Sequence, residues 1–134
     1  MSVVREFMTT DAKCVVEDQT LEVAARMMRD MDCGSLPICG NDGKLTGVIT
    51  DRDIVVKCIA EGKDPRQVLA SELAQGKPYW IDADANVDEA IRMMEEHQVR
   101  RLPVISNRAM VGIISQGDIA RNYSEQRVGE LVEH

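Results

Sequence analysis

The chain carries two copies of one unit, and that repetition limits its fold more than any other feature. Adding 66 to Leu21, Ala24, Ala25 and Met28 gives Val87, Ala90, Ile91 and Met94, and Arg26-Met27-Met28 becomes Arg92-Met93-Met94. Leu36-Pro37-Ile38 becomes Leu102-Pro103-Val104 at the same offset. One residue is then lost, so Gly47-Val48-Ile49-Thr50 becomes Gly112-Ile113-Ile114-Ser115 at an offset of 65. Self-similarity at a fixed period marks one supersecondary unit used twice.

Each copy reads as β-α-β-β-α. Apolar residues at 21, 24, 25, 28 and 31 follow the spacing of an amphipathic helix, with Thr20 as its N-cap. Asn86 caps the matching helix, whose apolar positions are 87, 90, 91 and 94. Leu36 to Cys39 is a short buried strand, Asn41-Asp42-Gly43 supplies hairpin-turn chemistry, and a further strand runs around Leu45 to Ile49. A second helix is predicted from near Asp51 towards Ala60. Val15-Val16 and Tyr79-Trp80-Ile81 open the two units as short β runs. Between the copies, Asp64-Pro65 is a turn and Val68 to Ala74 a short helix, which Val3 to Met8 resembles at the head of the first copy. The final segment, Arg127 to His134, carries no signal. Residues 1–64 and 65–134 are thus assigned to the two repeats, each with its lead-in helix. A unit of about 60 residues buries too little surface to be comfortable alone. Two units related by a pseudo-two-fold axis can cover each other's sheet faces, which predicts one compact α+β domain.

Composition narrows the function. Only 3% of residues are aromatic, so the core must be aliphatic, with eight Met as adaptable filler. The formal net charge of −7 disfavours nucleic acid or anionic lipid as partners, since phosphate binding needs clustered Lys and Arg. No apolar stretch approaches the roughly 18–20 residues of a membrane span. Met1 to Glu6 lacks the order of a signal peptide, so a cytoplasmic location is expected. With no Cys-x-x-Cys pair and only two His, a structural zinc site is not expected.

The paired Leu-Pro-Ile and Leu-Pro-Val before the hairpins, with Gly-Val-Ile-Thr-Asp-Arg-Asp and Gly-Ile-Ile-Ser-Gln-Gly-Asp after them, closely resemble the CBS-domain pair, or Bateman module. The resemblance covers essentially the whole chain. Thr50 to Val55 and Glu95 to Arg101 look like the stand-alone pairs of actinobacteria, including the hypoxic response type. It implies a regulatory module that holds AMP, ADP, ATP or S-adenosylmethionine in clefts between the repeats and modulates a separate partner protein. It also implies a homodimer formed through the helices, and no cofactor. By resemblance, the Thr50 and Ser115 hydroxyls contact phosphate or ribose, and Asp53 and Asp118 accept the ribose hydroxyls. Val16 and Ile81, on the opening strands, complete the ligand-contact set. Arg100 and Arg101 stand where the family often carries basic phosphate contacts, whereas the first copy has Gly34-Ser35. The Ser115/Asp118 cleft is therefore the better equipped for phosphate. The competing reading is purely structural: Thr50-x-x-Asp53 and Ser115-x-x-Asp118 each also resemble a capping box.

Other reactive residues fit structural roles. His97 falls where the first copy has Met31, so it is expected to be half-buried and structural, and a Ser/His/Asp nucleophilic set then lacks a base; an enzyme is not expected. Cys14, Cys33, Cys39 and Cys58 match Trp80, Val99, Ile105 and Tyr123, all positions for buried side chains. Cys14 and Cys39 lie on strands that neighbour each other in this fold, so a disulfide between them is an alternative. It would point to a stress-related interaction protein with no nucleotide ligand, responding to oxidation, or to export.

Overall fold

The structure, a computed structural model, describes residues 2–10, 13–74 and 78–123. In chain order the elements are α1 (Val4–Phe7), β1 (Val15–Val16), α2 (Leu21–Met31), β2 (Ser35–Cys39), β3 (Leu45–Thr50), α3 (Asp51–Ile54), α4 (Ala70–Leu73), β4 (Ile81–Asp82), α5 (Val87–His97), β5 (Arg101–Ser106) and β6 (Ala109–Ser115). A further helix, α6, covers 116–123. The chain is α+β and built of two equivalent halves.

Packing divides it into a nested unit, Lys13–Pro78, and a split unit made of the described residues of Met1–Ala12 and Tyr79–His134. These boundaries differ from 1–64 and 65–134, because each lead-in segment packs with the other repeat. The reason lies in the helix starts, whose first N–H groups have no partner within the helix. Leu21 N–H, at the start of α2, donates to the Val68 carbonyl at 2.9 Å. At the matching place, Val87 N–H donates to the Ser2 carbonyl at 3.0 Å.

Each unit holds a three-stranded sheet, ordered β1-β2-β3 and β4-β5-β6. In the nested unit β1 runs parallel to β2 (Val15↔Ile38, Val16↔Cys39), and β2 runs antiparallel to β3 (Ser35↔Thr50, Leu36↔Ile49). The split unit repeats this with Ile81↔Val104, Arg101↔Ser115 and Leu102↔Ile114. Both hairpins are bulged at equivalent points, after Ile38 and after Val104. The helices are capped as their sequences require: the Thr20 hydroxyl accepts from Val23 N–H, and Asn86 Oδ1 from Asp88 N–H. Both end on a left-handed residue, Asp32 (φ 51°) and Gln98 (φ 53°). The cores are aliphatic. Val15, Leu21, Met28, Leu36, Ile38 and Ile49 fill one, and Val4, Val87, Met94, Leu102, Val104 and Ile114 the other.

Four local expectations need correction. β4 begins at Ile81, leaving Tyr79 and Trp80 outside it with about half their surface exposed, because the strand pairs through only two residues. The helix from Asp51 changes to a π-helix over Val55–Ile59, which brings Cys58 into the core and leaves Val55, Val56 and Ile59 exposed. The short helix expected over Val68 to Ala74 is confined to Ala70–Leu73. His97 is exposed, not half-buried. As the last residue of α5 it lies past the buried face, and its ring stacks on Tyr79 at 3.7 Å and 11°.

Candidate ligand-binding site

The two Ser/Thr-x-x-Asp motifs sit where a buried strand turns into a helix. Asp53 N–H donates to the Thr50 hydroxyl at 3.1 Å, and Thr50 N–H donates to Asp53 Oδ2 at 3.0 Å. In the split unit, Asp118 N–H donates to Ser115 Oγ and Ser115 N–H to Asp118 Oδ2, both at 3.0 Å. Both are complete capping boxes, so the structural reading holds at each. It does not exhaust them. Each hydroxyl accepts from the amide and keeps its own proton, and each carboxylate uses one oxygen for the cap while the other faces a cation.

The cations are where the two copies part. Asp53 Oδ1 meets Lys57 Nζ at 3.1 Å, with the carboxylate side chain 23% exposed. Burial pushes Asp53 up, but the Thr50 amide and hydroxyl and the Lys57 ammonium together hold it below the usual carboxylate range. Asp118 Oδ1 meets Arg121 Nη2 at 2.6 Å, and its side chain is only 8% exposed. The Thr9 hydroxyl adds a long contact, 3.4 Å to each Asp118 oxygen. Thr9 reaches this place because its backbone pairs with Ile113 beside Gly112, a position with no room for a Cβ. In the nested unit Ala74, the counterpart of Met8, packs on Gly47.

Lys57, Arg121 and Thr9 were not singled out in the sequence. The i,i+4 and i,i+3 spacings from Asp53 and Asp118 were the available signal for the two cations. Nothing local signals Thr9.

The remaining expected contacts fall as follows. Arg101 lies opposite Ser115 in the β5–β6 register, and the Arg100 carbonyl accepts from Gln116 N–H at 2.9 Å, so both arginines flank the start of α6. Both are exposed. In the nested unit the same places hold Ser35, opposite Thr50, and Gly34, whose carbonyl accepts from Asp51 N–H. The first motif thus has two small uncharged residues where the second has arginines, and Asp51 where the second has Gln116. Val16 is half-buried on β1. Ile81 is turned inward at 3% exposure and packs in the core of the split unit, because it occupies the register position of Val15, not Val16.

Cys14 and Cys39 lie on the same face of the parallel β1–β2 pair, since Cys39 is opposite Val16 and side chains alternate along a strand. Both carry free thiols, as do Cys33 and Cys58. Cys39 and Cys58 are buried, as their matched positions suggested, but Cys14 and Cys33 are only half-buried. The hydrogen bond between Cys14 and Cys39 holds the Cys14 thiol down to about 7, against burial that pushes it up. The same bond, with burial, pushes Cys39 up.

Residues 4–59 and 70–125 each match the family model of the CBS domain. The chain belongs to the CBS domain family. It is 48% identical over 132 residues to hypoxic response protein 1 of Mycobacterium tuberculosis, covering 98% of this chain and 92% of the relative. A crystal structure of Hypoxic Response Protein I with two coordinated zinc ions matches with a TM-score of 0.82 at 50% identity, over 90% of this chain and 98% of that one. The crystal structure of CBSX2 in complex with AMP shares the fold, with a TM-score of 0.80 at 21% identity, over 95% and 99% of the two chains. Among the described residues of this CBS pair, no three His, Cys, Asp or Glu side chains gather where they could share a metal ion. Among the same residues no helix is long and apolar enough to cross a membrane.

Proposed function

We propose that this CBS pair is a ligand sensor that binds an adenine nucleotide or related adenosyl compound through its two Ser/Thr-x-x-Asp motifs and thereby regulates a separate protein. CBS pairs are regulatory, adenosyl-binding modules. The observation that carries the reading here is the doubling of one polar arrangement. A helix start, a hydroxyl and a carboxylate recur at equivalent places of both units, and each carboxylate keeps an oxygen off its cap. A carboxylate takes two donor hydroxyls, the pattern a ribose offers, and a helix N-terminus favours a nearby anion. Arg100 and Arg101 beside Ser115 add the charge that a phosphate needs. Sensing of this kind breaks no bond and uses no cofactor; binding shifts a packing equilibrium that a partner reads.

The test is thermal unfolding with AMP, ADP, ATP and S-adenosylmethionine, each in large excess. A ligand at 100 times its dissociation constant adds about 2.7 kcal/mol. A selective rise in midpoint, lost in the double variant D53N/D118N, supports the reading. No rise with any of them removes it.

A homodimer in the cell is part of the proposal, supported by the exposed Val55, Val56 and Ile59 on the π-helix, an apolar strip suited to an isologous contact. Sedimentation at micromolar concentration tests it, a monomer counting against it.

A second reading rests on the Cys14–Cys39 contact: the pair responds to oxidation by closing a disulfide, with an oxidant thiol–disulfide couple taking up the two electrons. Intact mass before and after oxidised glutathione decides, because a closed pair is lighter by two hydrogens and a glutathione adduct is heavier. No loss of hydrogens in the wild type refutes it.

A further inference from the structure

We infer that Arg121 is an exchangeable counter-ion of Asp118, which makes the second motif selective for adenosyl ligands that carry a phosphate. This rests on the binding reading above and deepens it.

The two carboxylates differ in how tightly their own chain holds them. Asp118 is the one buried charged side chain among the described residues, at 5% exposure. A carboxylate out of water needs a compensating cation, and removing one partner of a buried pair leaves the other uncompensated. That partner is Arg121, which sits at 2.6 Å with its own side chain 72% exposed. The arrangement is lopsided: the carboxylate cannot move, while the guanidinium stands at the surface on a flexible stem. A ribose approaching Asp118 must therefore share or displace Arg121.

A ligand without phosphate offers no replacement for the guanidinium's lost partner. A nucleotide does. Its diol takes over the carboxylate oxygen, and its phosphate can receive the released guanidinium, alongside Arg100 and Arg101 at the start of the same helix. The charge ledger stays even only for the phosphorylated ligand.

The nested unit has a different device. Lys57 is 34% exposed and Asp53 23%, so the ammonium is less free to swing and the carboxylate is already more open. The acidic Asp51 stands beside Gly34, where a Cβ would come within 3.0 Å of its carboxylate. Phosphate selectivity by exchange is thus confined to the second motif.

The experiment is calorimetric titration of the full chain with AMP and with adenosine, in a D53N background that silences the first motif, with and without R121Q. R121Q leaves the buried Asp118 without its cation and should lower the unfolding midpoint, which is recorded to establish that the variant is folded at the titration temperature. With Arg121 present, AMP should bind about tenfold or more tightly than adenosine, the scale of one charge-assisted hydrogen bond. R121Q should weaken AMP and strengthen adenosine, collapsing the ratio. The gain for adenosine is the diagnostic result, because a plain phosphate contact would leave adenosine unchanged. An unchanged or weakened adenosine affinity overturns the exchange. Binding in the wild type but none in D53N overturns the assignment to Asp118 while leaving the sensor reading intact. No binding of either probe to the wild type removes the sensor reading, and the exchange with it.

Discussion

Replacing Gly112 by Ala tests whether the lead-in segment is held by the close approach seen in the split unit. A Cβ at this position would lie 2.6 Å from the Thr9 carbonyl oxygen and 3.0 Å from Met8 Sδ. The sulfur ends a flexible side chain and can move, but the oxygen cannot move alone. Thr9 and Ile113 exchange two backbone hydrogen bonds, Thr9 N–H to Ile113 O at 2.8 Å and Ile113 N–H to Thr9 O at 3.0 Å. The added methyl must therefore open that bridge. Overpacking of this kind costs roughly 1–3 kcal/mol, and each backbone hydrogen bond lost adds about 1 kcal/mol. Together these give about 3–5 kcal/mol, which in a chain of this size lowers the midpoint by roughly 10–20 °C. The matching variant, G47A, meets the Ala74 Cβ at 2.9 Å and its Cα at 3.6 Å among the described residues. It should cost less, about 1–2 kcal/mol. The assay is thermal unfolding of both variants without ligand, with hydrogen exchange at the Thr9 and Ile113 amides. A G112A midpoint within about 2 °C of wild type, or a larger loss in G47A, would refute the reasoning.

Asp53→Asn should flatten the acid limb of stability. The folded carboxyl lies below its ordinary value, so its contribution is present above the unfolded pKa near ~3.9 and fades as pH falls through the folded value. The gap between wild type and variant in urea midpoint should then be wider at pH 7 than at pH 3; an equal gap counts against it. Arg108→Gly should stabilise the second hairpin, whose two-residue turn places Asn107 (φ 51°) and Arg108 (φ 69°) in left-handed backbone. Relief of about 1 kcal/mol at Arg108, partly offset by glycine's freedom when unfolded, predicts a midpoint rise of a few degrees, and a fall would contradict it. Alkylation of Cys14 by iodoacetamide should follow thiolate formation with a midpoint near pH 7. In C39A that midpoint should move up, and an unchanged profile would show that Cys39 does not set it.

Much of the fold was legible because the same signals occur twice. The spacing of Leu21, Ala24 and Met28, and of Val87, Ala90 and Met94, marked both long helices with their caps, and the Leu-Pro strands and following glycines located both hairpins. What escaped was non-local or set by packing. Tyr79 and Trp80 have the β propensity of strand residues, yet pairing with β5 begins only at Ile81, although β5 itself continues past Pro103 and Leu102. Val55 to Ile59 reads as ordinary helix, and nothing in its residue pattern signals the wider winding that accompanies burial of Cys58. The candidate site was legible in its motif residues and not in their partners: Ser115-x-x-Asp118 is visible in the sequence, yet the Thr9 hydroxyl is brought to Asp118 across 109 positions by backbone pairing at Gly112.

The interleaving of the two units has a consequence for synthesis. The nested unit is one uninterrupted stretch, so all of it is available once residue 78 has left the ribosome. The split unit is divided by that whole stretch. Val4 and Phe7 are made before that stretch, yet their packing partners Val87, Met94 and Leu102 emerge only after it. The lead-in segment therefore waits through synthesis of the whole nested unit for its place, and its apolar side chains depend on the nascent chain staying unaggregated over that interval.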